Sequence, residues 1–191
     1  MGRNKALIEW DGQPQIARVA SALRPVTFEQ LIIANDPEPY QFLNLPIIPD
    51  IEPGWGPLMG LYSGLQAAKG AWAILVAVDM PFLTSAFLHG LLAMAPGYDV
   101  VIPEVQDKLH PLCAVYRRDA CLPAIEAVIK QGQRRLIAFH DLIKVRRLDE
   151  ATLRTISPDL RELININTPE ELRQAQQLLK PTSSPSRRHK L

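Results

Sequence analysis

Two aspartates each close an apolar run. Asp79 follows Trp72-Ala73-Ile74-Leu75-Val76-Ala77-Val78, seven apolar residues without alternation, and Asp50 follows Leu45 to Pro49. A carboxylate at the point where a buried strand stops is a hard oxygen donor at the rim where open α/β sheets bind ligands. Asp79 therefore fits a metal or phosphate-handling group. The alternative is a turn cap ahead of the next helix, because Asp also bonds backbone two residues on. If both strands belong to one parallel sheet, Asp50 and Asp79 share an edge. One such carboxylate together with substrate phosphates suffices for Mg²⁺, which keeps several of its own waters. The ion would offset charge building on a triphosphate during transfer.

Other residues give weaker signals. Gly54, Gly56 and Gly60 precede an apolar helical segment through Leu61 and Leu65. Glycines at a helix start let backbone N–H groups approach an anion, although such loops also occur without ligands. Asn165 and Asn167 flank Ile166 at strand spacing, so their amides share a face and serve either a polar ligand or the turn that follows. Arg134-Arg135 opens a predicted helix, where the dipole disfavours cations, which points to an anion partner. Lys5 taken alone reads as a solvated lysine. His89 and His140 read as helix-surface residues, and His110, beside Pro111, stands at a strand start within reach of the site edge. No Ser/His/Asp or Cys/His arrangement can be read from spacing.

The elements that must position these residues follow from periodicity and punctuation. Ile16, Val19, Ala20 and Leu23 recur at helical spacing and predict a helix over Gln15 to Leu23, ended near Pro25. Glu29 to Ala34 and Leu45 to Pro49 predict strands. A helix through Leu61 and Ala68 stops at Gly70. The non-alternating Trp72 run predicts a strand buried on both faces. Pro81 ends it, and Thr84 caps a helix over Phe87 to Met94. Tyr98 to Pro103 and His110 to Tyr116 predict strands, and Asp119 caps a helix through Ile125 to Ile129 that Gly132 ends. Arg134 to Ile143 predicts a helix, and Lys144 to Leu148 and Leu163 to Ile166 predict short strands. Thr168-Pro169-Glu170-Glu171 is a capping signature for a last helix to about Leu179. Alternating strands and helices make a three-layer α/β/α sandwich with a mainly parallel sheet. Residues 1–180 read as one domain and 181–191, rich in Ser, Pro and basic residues, as a disordered tail.

Composition removes several classes. The 191 residues are 47% hydrophobic and 21% charged, enough for one globular core. Lys+Arg 21 against Asp+Glu 20 gives net +1, and only Arg187, Arg188 and Lys190 cluster, so no basic face calls for nucleic acid. Cys113 and Cys121 show no metal or redox spacing, no signal segment opens the chain, and no apolar run approaches the ~18 residues of a membrane span. A reduced, cytoplasmic protein is expected.

The motifs, taken together, resemble the molybdenum cofactor guanylyltransferases. Met1-Gly2-Arg3-Asn4-Lys5-Ala6-Leu7 is similar to the family's R-M-G-x-D-K-[AG]-L segment, and Asp11-Gly12-Gln13-Pro14 to its x-G-K-P turn. Pro49-Asp50, Gly56-Pro57-Leu58-Met59-Gly60, Asp79-Met80-Pro81-Phe82, His110-Pro111-Leu112 and Asn165-Ile166-Asn167-Thr168-Pro169-Glu170 follow in the family's order. The resemblance covers nearly all of the chain to Leu179. It implies a Rossmann-like nucleotidyltransferase fold and transfer of GMP from Mg·GTP to the terminal phosphate of molybdopterin, releasing pyrophosphate. It assigns Mg²⁺ to Asp79, the GTP phosphates to Lys5, the nucleotide to Asp50, and the pterin side to Asn165, Asn167 and the Arg134 region. Molybdoenzymes or cofactor-insertion proteins are the implied protein partners.

Two departures stand out. Asn4 replaces the family's Asp, removing a charge beside Lys5. The family also begins with a strand and L-A-G-G-x-S-x-R, whose backbone cradles the nucleotide; that strand would lie beside the Asp79 strand, and neither it nor the loop is in this sequence. The expectation is a longer polypeptide, or else a poorly active remnant. Because the absent loop reads the base, cytidylyltransferases and sugar-phosphate nucleotidyltransferases stay open as alternatives, as does a non-catalytic binding module.

Overall fold

A computed structural model describes residues 4–10, 12–166, 170, 171, 173 and 175. It opens with a hairpin, β1 (Glu9–Trp10) and β2 (Gln13–Pro14), whose turn residue Gly12 takes φ +76°. Helix α1 (Gln15–Leu23) matches the predicted span and turns Val19 and Ala22 inward. Strands β3 (Ile32–Ile33) and β4 (Ile47–Ile48) form a separate parallel pair. Helix α2 (Pro57–Ala67), strand β5 (Trp72–Val76) and helix α3 (Ser85–Ala93) follow. Thr84 caps α3 as expected, its Oγ1 accepting the Phe87 N–H at 3.2 Å. Strands β6 (Val100–Val105), β7 (Lys108–Leu109) and β8 (Cys113–Arg117), helix α4 (Arg118–Lys130), strand β9 (Val145–Leu148) and helix α5 (Glu150–Arg154) complete the described elements.

The alternation of side chains across the main sheet makes three layers. Val100, Ile102, Ala114 and Tyr116 point to one face and pack with Leu58, Leu61 and Leu65 of α2 and Cys121, Ile125 and Val128 of α4. Val101, Cys113 and Val115 point to the other and pack with Phe87 and Leu91 of α3 and Leu153 of α5. Period two in the strands thus feeds two separate cores. The open α/β class stands. Pairing within the sheet is mixed: β6 runs parallel to β9 but antiparallel to β8 and β7, and β5 is antiparallel to β8. The hairpin β6–β7, turned by Gln106 and Asp107 at φ +50° and +58°, sends the chain back and inserts β8 in the opposite sense.

Several expectations are corrected. Asp119 lies inside α4, whose N-cap is Arg117. Arg134 to Ile143 is a succession of i→i+3 turns, with Ala138 bonded to Arg135, His140 to Ile137 and Leu142 to Phe139, because Leu136 and Phe139 are drawn into the core. Leu163 to Ile166 is not a strand: Arg161–Leu163 is a 3₁₀ turn entered by Leu160 at φ +54°. Helix α5, capped by Asp149 accepting from Thr152 N–H, was not anticipated. Glu170, Glu171, Arg173 and Ala175 are helical. Asn167, the Thr168-Pro169 cap and residues 181–191 lie outside the described residues.

Strand β5 was expected to be buried on both faces, and every one of its residues is only half-buried. Its only strand neighbour among the described residues is β8. On its other side a cavity of about 340 Å³ separates it from β3.

Candidate active site

Three turns build one rim of the molecule. After β5 the chain passes Ala77 and Val78 to Asp79. Ala77 N–H donates to the Leu112 carbonyl at 2.7 Å, so the His110-Pro111-Leu112 turn that starts β8 lies beside the end of β5. The Asp79 backbone carbonyl accepts the Ile166 N–H at 2.9 Å, which brings Asn165 next to the same turn. Ile166 packs with Trp10 and Phe82, anchoring that contact. The Asp79 side chain supplies the unusual feature: Oδ1 is buried without a hydrogen-bond partner among the described residues. A buried, unpaired carboxylate oxygen costs more than a neutral one and calls for a cation or polar ligand.

The second aspartate is held firmly. Register in β3–β4 places Ile33 opposite Ile48, and two residues further on it places Asn35 beside Asp50. Asn35 Nδ2 donates to Asp50 Oδ2 at 3.0 Å, and Asp50 N–H donates to Asn35 Oδ1 at 2.9 Å. The carboxylate lies over the first turn of α2, with Oδ1 3.5 Å from where a Cβ on Gly60 would stand. Ile51 N–H is taken up by Ser63 Oγ at 2.9 Å, which ties this loop to α2. The loop then runs through Gly54 and Gly56, both at φ +86°, a conformation that glycine alone adopts without strain. Gly56 is the N-cap of α2 and has no side chain to satisfy the first-turn N–H groups. Helix α2, about 16 Å long, connects β4, in the two-stranded sheet, to β5 of the main sheet.

Asp50 and Asp79 thus follow the ends of β4 and β5, whereas Asn165, read at strand spacing, follows the 3₁₀ turn Arg161–Leu163 and lies in no strand. Lys5 is half-buried at the start of a 3₁₀ turn, Lys5–Leu7, whose N-cap Asn4 accepts the Ala6 N–H. Arg134 does not start a helix; its guanidinium lies 4.8 Å over the ring of Trp55, on the glycine loop. Asn35 and Trp55 were missed. For Asn35 the signal was present, an Asx residue one strand away from Asp50 at the same register. For Trp55 there was none, since its partner is 79 residues further along.

Titration behaviour adds little nucleophilic chemistry. Burial pushes the Cys113 and Cys121 thiols up to about 12, so neither is a thiolate at neutral pH. His110 is held below its ordinary value by burial first and by the charge of Lys108 second. Among the described residues no three His, Cys, Asp or Glu side chains cluster to cage a metal, and no helix is long and apolar enough to cross a membrane.

This is an open α/β nucleotidyltransferase-like fold. A cytidylyltransferase acting on 2-C-methyl-D-erythritol 4-phosphate from Thermus thermophilus superposes with TM-score 0.70 at 18% identity over 91% of this chain and 93% of its own, a likeness of fold alone. Molybdopterin-guanine dinucleotide biosynthesis protein A from Archaeoglobus fulgidus superposes with TM-score 0.77 at 26% identity, over 93% of this chain and 91% of its own. Residues 1–148 match the model of the MobA-like NTP transferase domain. The molybdenum cofactor guanylyltransferase of Desulfosudis oleivorans is 37% identical over 94% of this chain and 89% of its own, and a probable one from Pelotomaculum thermopropionicum is 35% identical over 90% and 83%. The chain belongs to the MobA-like NTP transferase family and is a nucleotidyltransferase.

Proposed function

We propose that this chain transfers GMP from GTP to molybdopterin with release of pyrophosphate, in molybdenum cofactor biosynthesis, from a domain spanning residues 1–180. The observation that carries the reading is the buried, unpaired Oδ1 of Asp79 on the turn that leaves β5. A hard, anionic oxygen without a partner among the described residues suits Mg²⁺, which needs only one or two carboxylates when a triphosphate supplies further oxygens. When bound, the ion offsets the charge that builds on the phosphates during transfer.

The remaining roles belong to the chain. Lys5 supplies a cation to the phosphates of GTP. Asp50, oriented by its two hydrogen bonds to Asn35, meets the nucleotide. At the start of α2, where Pro57 has no N–H and the Met59 and Gly60 N–H groups bond the Gly56 carbonyl, the Leu58 N–H offers a donor to an anion. Asn165, beside the Asp79 turn, and Arg134, on Trp55, face the pterin substrate; Asn167 is assigned with them from the motif alone. The test is pyrophosphate release with molybdopterin and Mg²⁺, comparing GTP with CTP. GTP is expected to be preferred, and Asp79→Asn to lower the rate about 10²–10³-fold with the melting temperature kept. Unchanged turnover in Asp79→Asn, or a preference for CTP, overturns the reading.

A further inference from the structure

Glu162 carries a carboxylate that the site chemistry does not use and that solvent barely reaches, the residue being 6% exposed. Both of its oxygens accept from hydroxyls: Ser157 Oγ donates to Oε2 at 2.6 Å and Thr84 Oγ1 to Oε1 at 3.0 Å. The first bond closes the loop between α5 and the 3₁₀ turn Arg161–Leu163 on itself. The second crosses 78 residues of chain to the N-cap of α3, where Thr84 Oγ1 also accepts the Phe87 N–H. The Thr84 proton is thereby committed to Glu162 and a lone pair to the helix, which fixes the hydroxyl in direction. Four residues after Glu162, the Ile166 N–H donates to the Asp79 carbonyl at 2.9 Å. Residues 162–166 therefore run against residues 79–84 in the opposite sense, tied at both ends, Glu162 on Thr84 and Ile166 on Asp79. Asn165 stands between the two ties. Leu160 and Leu163, both 7% exposed, seat the same turn in the core with Phe87 and Leu91 of α3. Apolar burial has no direction, so the hydrogen bonds of Glu162 are what orient the turn.

We propose that Glu162 is a positioning residue: by holding the 3₁₀ turn to the N-cap of α3 it sets Asn165 against the Asp79 turn, where Asn165 meets the pterin substrate. Glu162 touches no substrate, and its part rests on the pterin-side role proposed for Asn165. An apolar side chain would fill the same space without the cost of burying a carboxylate, so space-filling does not account for it. With the tie cut, the Thr84 and Ser157 hydroxyls lose their acceptor, and the segment is left to the Ile166 bond at its far end. Asn165 then gains the freedom of the turn before it. The nucleotide contacts assigned to Lys5 and Asp50 lie on other elements and are kept.

The experiment measures, by calorimetry on the 191-residue protein, the affinities for molybdopterin and for GTP with Mg²⁺ separately. Glu162→Ala is expected to weaken molybdopterin about ten-fold and to keep GTP within about two-fold. Glu162→Gln keeps the volume, accepts from one hydroxyl and donates to the other, and is expected to bring molybdopterin back to within about three-fold. Asn165→Ala weakens molybdopterin by itself, and Glu162→Ala added to it weakens it no further, because the tie acts through the asparagine. If Glu162→Ala fails to fold, Thr84→Gly decides: glycine is tolerated at an N-cap and removes the hydroxyl. A selective loss of molybdopterin in that variant supports the tie, and unchanged affinity overturns it. No molybdopterin binding by the unsubstituted protein, or full binding by Asn165→Ala, overturns the pterin-side reading and the role of Glu162 with it. Weak binding by Asn165→Ala beside normal binding by Glu162→Ala overturns the role of Glu162 alone. So do additive losses in the double variant, or equal weakening of both ligands, which mark a part in stability only.

Discussion

Strands β5 and β6 carry the same kind of sequence, apolar without alternation, and meet opposite fates. All five residues of β5 are half-buried, whereas Val100, Val101 and Ile102 of β6 are 0% exposed. Helices cover both faces of each. What differs is the ladder: among the described residues β6 has β8 on one side and β9 on the other, and β5 pairs with β8 alone. An apolar run states what a strand tolerates; its lateral neighbours decide how much water it keeps. The two halves of the molecule are accordingly a closed sheet around β6 and β8 and an open edge facing β3 and β4.

The largest test of that contrast is truncation of one isoleucine in each half. Ile102→Ala, in the closed half, is expected to lower unfolding free energy by about 3–4 kcal/mol, from lost transfer energy plus a cavity that cannot collapse. Ile74→Ala, in the open half, should cost only about 1–2 kcal/mol, because solvent already reaches that side chain. Urea denaturation of both measures the difference, and equal costs would mean that the open edge is filled in solution.

A second test uses pH. His140 is 8% exposed, its ring edge-on to Phe139 at 5.0 Å, and neither ring nitrogen has a hydrogen-bond partner among the described residues. Burial, assisted by the charge of Arg147, holds it down to about 4 from an ordinary value of 6.5. Above pH 6.5 the folded and unfolded states are both neutral there and His140 adds no pH dependence. Between pH 6.5 and 4 the unfolded chain takes up a proton that the folded one refuses, so stability falls as pH falls, by about 3 kcal/mol in all. His140→Met should flatten that slope over the same window, measured by denaturation at stepped pH.

The smallest expected effect separates two helix glycines. A Cβ on Gly90 of α3 would overlap Ile156 Cγ2, and Gly90→Ala should cost about 1–3 kcal/mol by overpacking. A Cβ on Gly64 of α2 meets Ile33 alone, Cδ1 at 3.2 Å and Cγ1 at 3.4 Å, beside the cavity. Gly64→Ala should therefore be neutral or stabilise by up to about 1 kcal/mol through helix propensity. Thermal melts of the pair would invert the contrast if the cavity were rigidly packed.

Much of the site was legible because local chemistry set it. Asp50 and Asp79 end apolar runs, Pro81 stops the strand, Thr84 caps the next helix, and Gly54 and Gly56 take the positive φ that their loop demands. These features depend on a few adjacent residues and on backbone sterics. Where the reading failed, distant contacts prevailed. Leu136 and Phe139 pull their segment into consecutive tight turns instead of a helix, and Ile166 gives its N–H to the Asp79 carbonyl instead of to a ladder.

The sequence by itself determined the α/β class, most helix spans and the carboxylates at strand ends, since periodicity, punctuation and capping act over one or two turns of chain. Only the tertiary structure decided the mixed sense of the sheet, the pairing of Asn35 with Asp50 and of Arg134 with Trp55, the orphaned oxygen on Asp79 and the open edge of β5. Each of those depends on which strands and loops come to lie side by side, and that is fixed by packing between residues far apart in the chain.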